Sequence, residues 1–183
     1  MGGRGGSRTR FGRRTWHRQE RGGPRAGGPT RPFGGLSPLL VVDASVVVDW
    51  IAPDADPEVP AVVALRHLAQ AETELLAPRL LMQEVSNALL TGIRRGRWSG
   101  SDSDRARALL RTLPVKLADE PRDLDRAWEL ARRYDNHPIY DLLYVALAER
   151  HETRLVTADA GLRERLVGID WLVGPEALSG SSE

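Results

Sequence analysis

Four carboxylates are set in apolar text along this chain. They are Asp43 in Leu39-Leu40-Val41-Val42-Asp43-Ala44-Ser45, Glu84 in Leu80-Leu81-Met82-Gln83-Glu84-Val85-Ser86-Asn87, Asp141 in Ile139-Tyr140-Asp141-Leu142-Leu143-Tyr144, and Asp159 in Leu155-Val156-Thr157-Ala158-Asp159. An acid held in an apolar environment is costly unless something compensates its charge. If the fold gathers all four, the natural compensator is a divalent cation, and the natural chemistry is metal-assisted phosphodiester cleavage. Two carboxylates about 4 Å apart repel by roughly 4 kcal/mol at an effective dielectric of about 20, so a cluster of four invites protonation. Bound Mg²⁺ or Mn²⁺ would reverse the sign of that local field. The chain has no cysteine and offers no paired histidines, so nothing suggests zinc.

Each acid also has a purely structural reading. Asp43 and Asp159 suit helix N-caps, where Asp is among the preferred residues. Glu84 suits a solvated first turn favoured by the helix dipole. Asp141 is hardest to read that way, because the helix it opens is apolar nearly all round. Taken jointly, in this order and these contexts, the functional reading prevails.

The elements that must position these residues alternate. Residues 39–43 are a continuous Val-rich run, as in a buried parallel strand, followed by a short helix that Pro53 ends. Pro57 and Pro60 open a longer helix, and 74–77 is a short strand stopped by Pro78. Residues 79–95 are the firmest helix, with a broad apolar stripe and Gly96 behind its basic last turn. Ser101 to Asp104 offer caps for a helix reaching Leu113, and 115–118 is another strand. Residues 122–134 are helical, with Leu124, Ala127, Trp128 and Ala131 on one face. A buried helix over 140–150, a strand over 153–157, a helix over 160–167 and a strand over 169–173 complete the pattern. Such alternation implies an α/β fold with a parallel sheet covered on both faces. Sites in such sheets form beyond the carboxyl ends of the strands, where Asp43 and Asp159 lie; Glu84 and Asp141 fall in first turns of helices.

The overall charge of +1 hides a division. Residues 1–36 carry nine Arg and one acid, Glu20, for a net +8, which leaves −7 on the remainder. That segment is rich in Gly, Arg and Pro and lacks apolar periodicity, so it is expected to be disordered. It reads as an RNA-binding arm, a solvated extension, or the translation of an upstream region ahead of a start near Leu39. The remainder, 38–178, has the size of one domain. The absence of cysteine fits a reducing cytoplasm, and Asp43 and Asp49 interrupt the best apolar run, so no membrane span is expected.

The four acidic contexts resemble the PIN-domain ribonucleases, and specifically the VapC-type toxins of bacterial toxin–antitoxin pairs. Val-Val-Asp-Ala-Ser resembles the first motif with Asp43, the 78–89 segment the second with Glu84, the 138–148 segment the third with Asp141, and Thr-Ala-Asp the fourth with Asp159. The resemblance covers about 39–175 and implies a three-layer α/β/α fold with a central parallel sheet. It implies a Mg²⁺ or Mn²⁺ site formed by the four acids, and RNA hydrolysis leaving 5′-phosphate and 3′-hydroxyl ends. It also implies a homodimer, a VapB-type antitoxin whose tail enters the acidic groove, and action in the cytoplasm. The 1–36 extension lies outside the pattern.

Further candidates are weaker. Ser45 and Thr157 carry hydroxyls able to orient a ligand carboxylate, or to make local cap bonds. Asn87 follows Glu84 by three residues on the same helix face. Arg94, Arg95 and Arg97 can meet RNA phosphates or complement the helix dipole. Trp50, Trp98 and Tyr140 can stack on unpaired bases or fill the core. His137 reads as a solvated loop residue. Two other functions compete. One is an inactive PIN-like module that holds RNA or a partner, against which four intact acids argue. The other is a phosphotransfer domain using Asp43, but Ser45 stands where a second Asp would be wanted, and the only lysine is Lys116.

Overall fold

The computed structural model of this protein describes residues 39–178; the Arg-rich 1–36 segment, and every expectation placed on it, lies outside them. Strand β1 (Leu39–Val42) is followed by α1 (Ala44–Ile51) and α2 (Pro60–Gln70). Then come β2 (Glu74–Pro78), α3 (Leu81–Arg94), α4 (Gly100–Leu110), β3 (Val115–Ala118), α5 (Pro121–Arg133) and α6 (Ile139–Arg150). The chain continues through β4 (Leu155–Val156), α7 (Ala160–Arg165), β5 (Leu172–Val173) and a 3-10 turn at Pro175–Leu178. All pairings are parallel, in the order β3-β2-β1-β4-β5.

Side chains alternate between sheet faces along a strand. Leu40, Val41 and Val42 are nonetheless all fully buried, so both faces of the central strand are covered and the molecule has three layers, as the alternation predicts. One cover is α6, which packs on β1, β2 and β4 with α5 behind it. Helices α1, α3 and α4 pack on one another as a second group. Edge strand β3 leaves Lys116 and Leu117 exposed. Because β2 and β3 extend the sheet to one side of β1 and β4 and β5 to the other, the winding direction reverses beside β1, the place where sites form in parallel sheets.

Two expectations need correction. On α5 the buried stripe is Asp123, Ala127, Leu130 and Ala131, while Leu124 and Trp128 stand 52% and 62% exposed. The stripe is set by a part-buried ion pair: Arg150 of α6 donates to both oxygens of Asp123, at 2.7 and 2.8 Å. That bond turns the 123/127/130/131 set inward and leaves the two large apolar residues outside. Helix α4 ends at Leu110, short of the expected Leu113, and its cap is Ser99, whose side chain accepts from Asp102 N–H.

Trp98 explains a glycine inside α3. Its indole N–H donates to Leu89 O at 3.0 Å, pinning the ring against Gly92, where a Cβ would come 2.0 Å from the ring. Alanine would gain about 1 kcal/mol of helix propensity over glycine, but displacing a pinned ring costs about 1–3 kcal/mol and its hydrogen bond as well. Gly92→Ala is therefore expected to lower the melting temperature; a rise in a thermal melt would contradict this packing.

Candidate active site

Asp43 closes β1. Its N–H donates to Val156 O of β4 at 2.9 Å, and its extended backbone makes it the N-cap of α1. Oδ1 accepts from Ala44 N–H at 2.7 Å. Oδ2 accepts from Ser45 Oγ at 2.7 Å and from Thr157 Oγ1 at 2.6 Å. Each hydroxyl has one proton to give, and each in turn accepts a backbone N–H from the loop after β4: Ala158 to Ser45 at 3.0 Å and Asp159 to Thr157 at 3.1 Å. Ser45 and Thr157 thus bind the loop after β1 to the loop after β4, across the point where the sheet reverses. The cap reading of Asp43 and its site reading are both realised in one residue.

Glu84 lies in the first turn of α3 and Asp141 in the first turn of α6. Tyr144, one turn beyond Asp141 and fully buried, donates its hydroxyl to Glu84 Oε2 at 2.6 Å. Asp141 Oδ2 accepts from His137 Nε2–H at 2.8 Å. His137 is not the solvated loop residue its polarity suggested; its side chain is only 6% exposed. A common pattern emerges. In each of the three acids a side-chain donor holds one oxygen, and the other keeps lone-pair capacity: Asp43 Oδ1, Glu84 Oε1 and Asp141 Oδ1.

The electrostatics place the three in one neighbourhood. Burial raises the pKa of Asp43 against the pull of its three hydrogen bonds, and the charge of Asp141 raises it further. Burial also raises Glu84; the Tyr144 bond opposes this, and the charges of Asp43 and Asp141 add to it. Burial and the nearby acids push the Tyr144 phenol far up, so it remains a donor. Among the described residues, no three His, Cys, Asp or Glu side chains already converge tightly enough to hold an ion. The donor set itself, hard oxygens each fixed by a protein donor, fits Mg²⁺ or Mn²⁺.

Asp159 is differently engaged. It is exposed and caps α7, with Oδ1 accepting from Leu162 N–H at 3.0 Å; it reaches the group through Thr157. Asn87 is exposed one turn beyond Glu84. Arg94 and Arg95 are exposed at the far end of α3, with Arg94 donating to Thr91 Oγ1 at 2.6 Å. Arg97 donates to Asp54 at 2.6 Å and lies over the Trp98 ring at 4.7 Å, so protein partners already hold it. Trp50 donates to Ala61 O at 2.7 Å and packs against the core, whereas Tyr140 is 59% exposed.

Tyr144 is the residue that sequence reasoning left out, and His137 the one it placed in solvent. Both had a signal. A tyrosine in an otherwise apolar buried helix needs a partner for its hydroxyl, and His137 stands four residues before Asp141, the spacing of one helical turn.

Acids brought to the reversal point of a parallel sheet, each anchored by a side-chain donor, define a class, and residues 40–165 match the PIN domain family; the chain belongs to it. Ribonuclease VapC1 of Mycobacterium tuberculosis is 35% identical over 126 residues, covering 67% of this chain and 86% of that protein. Ribonuclease VapC9 of the same species is 32% identical over 126 residues, covering 69% of this chain and 90% of that protein.

Proposed function

We propose that this chain is a divalent-metal-dependent endoribonuclease, the toxin of a toxin–antitoxin pair. The observation that carries the reading is the pattern at Asp43, Glu84 and Asp141, where side-chain donors fix one oxygen of each carboxylate and the other keeps lone-pair capacity, on Asp43 beside its bond from Ala44 N–H. The similarity to VapC ribonucleases supports the same reading.

In this reading Asp43 Oδ1, Glu84 Oε1 and Asp141 Oδ1 hold Mg²⁺ or Mn²⁺, with Asp159 as a fourth ligand through Oδ2, since its Oδ1 caps α7. The bound ion supplies water activation and stabilisation of charge on the phosphate and the departing oxygen. The protein's own contribution is placement. Ser45 and Thr157 keep the Asp43 plane fixed, and Tyr144 keeps Glu84 turned inward. Water adds to phosphorus while the bond to the 3′ oxygen breaks, leaving 5′-phosphate and 3′-hydroxyl ends. Arg94 is ten residues beyond Glu84 on α3, about 15 Å along the helix at 1.5 Å per residue. Arg94 and Arg95 therefore suit phosphates flanking the cleaved one, and Asn87 a position between. The partners of this reading are RNA, a VapB-type antitoxin and a second copy of the chain, acting in the cytoplasm as one PIN domain over 38–178. Among the described residues no helix is long and apolar enough to cross a membrane.

The test is to map RNA ends in cells after brief induction of wild type and Asp43→Asn. The expected result is a discrete set of new 5′-phosphate ends with wild type alone. The same ends with both proteins would point to a host nuclease and remove the reading.

A further inference from the structure

The segment that delivers His137 to Asp141 has an unusual backbone. Helix α5 ends at Arg133, and the next residues after Tyr134 are Asp135 and Asn136, with φ of 53° and 58°. Two successive non-glycine residues in the left-handed region are uncommon; Asp and Asn tolerate it best. Such conformations persist where the surroundings demand them, and they collect at functional sites. Here Arg132 Nη1 donates to Asn136 Oδ1 at 2.6 Å, and His137 N–H donates to Tyr134 O at 3.1 Å. Pro138 then leads directly into α6. The turn has one evident product: a buried imidazole whose Nε2 lies 2.8 Å from Asp141 Oδ2.

Asp141 itself is more open than its partner, with a side chain 37% exposed. Its helix position favours its charge through the dipole but does not fix where its two oxygens point. An imidazole N–H on Oδ2 does. It plays for Asp141 the part that Thr157 and Ser45 play for Asp43 and Tyr144 plays for Glu84.

We propose that His137 is a positioning residue, whose Nε2–H fixes the Asp141 carboxylate so that Oδ1 is presented to the divalent cation. The inference rests on the metal-dependent reading given above, and the residue touches neither the substrate nor the ion.

Two substitutions of like polarity and different reach test it. In His137→Gln the side-chain amide nitrogen falls near the place of Nε2; in His137→Asn it falls near Nδ1, one bond short of Asp141. Mn²⁺ binding to the full chain is measured by calorimetry, with RNA cleavage alongside. Loss of an outer partner of a metal ligand costs roughly 10–100-fold in metal affinity. His137→Asn should weaken Mn²⁺ by that factor and lower kcat with KM for RNA unchanged, while His137→Gln stays within about threefold of wild type. Equal affinities for Asn and wild type would overturn the assignment, as would equal losses in Asn and Gln, which would make the role one of packing. A wild-type chain that cuts RNA and binds Mn²⁺ while the Asn variant does both equally well removes His137 alone. A wild-type chain that does neither removes the nuclease reading and this inference with it.

Discussion

Asp43→Asn is expected to cost about a thousandfold in RNA cleavage and, in the same protein, to raise the melting temperature measured without metal. The two effects have one cause. Asp43 is 9% exposed, and its burial holds its pKa up, which means the folded protein carries the ionised form at a cost. Asparagine has nearly the same shape. Its Oδ1 can accept from Ala44 N–H, and its Nδ2 can donate to Ser45 and Thr157, whose hydroxyls accept as readily as they donate. The neutral side chain therefore keeps the connection between the loops after β1 and β4 and loses the desolvation penalty, which outweighs the loss of Oδ2 as acceptor for two hydroxyl protons, one of which the Ser45–Thr157 pair at 3.3 Å takes up. Each 1 kcal/mol of stability moves the melting temperature by roughly 2–4 °C in a domain of this size, so the direction of the change is readable in a thermal melt. The cleavage loss follows from removing an anionic ligand. Metal assistance supplies several kcal/mol of transition-state stabilisation, and about 4 kcal/mol is a thousandfold at 1.36 kcal/mol per decade. The variant thus separates site from scaffold: a dead protein that melts higher. A dead variant that also melts lower would show that the charge holds the loops together, and the stability half of the argument would fail.

Much of this arrangement is legible in the chain itself. The Val-rich run before Asp43 and the Pro-led helices before Glu84 and Asp141 announce which ends of which elements carry acids, and parallel order follows from alternation. What the text does not announce is which oxygen of each acid is already engaged. Glu84 and Tyr144 are sixty positions apart, and Asp43 and Thr157 more than a hundred; a contact of that range depends on strand order, which periodicity does not encode. The inward face of α5 is hidden for the same reason. Leu124 and Trp128 outweigh Ala127 and Ala131 in hydrophobicity, yet the Asp123–Arg150 pair with the partner helix fixes the rotation. Asp159 carries two meanings at once, as cap and as motif acid, and local text gives them equal support. His137 was within reach, since its partner is one turn away, but a polar residue in an Asp-Asn-His-Pro stretch reads as solvent-facing until the left-handed turn is known.

Saturating Mn²⁺ should stabilise the wild-type chain strongly at neutral pH and far less in acid. In the metal-free protein the folded-state pKa values of Asp43 and Glu84 lie above the reference values of 3.8 and 4.5. A raised carboxylate makes the folded state bind more protons than the unfolded one between those limits. Its contribution to stability is therefore fully present below the unfolded pKa and is lost as pH rises through the folded value, so these two acids weaken the metal-free fold at pH 7. The cation reverses the sign, because it requires the ionised ligands and stabilises most where they are already ionised. At about a hundred times Kd the gain is roughly 2.7 kcal/mol, or about 5–10 °C by the same conversion. Melting curves with and without Mn²⁺ from pH 7.5 down to 4.5 should show the shift shrinking as the carboxylates protonate, with Asp43→Asn showing little shift anywhere. A shift that is constant across pH, or that survives in Asp43→Asn, would place the ion elsewhere on the protein and leave the three anchored acids without their cation.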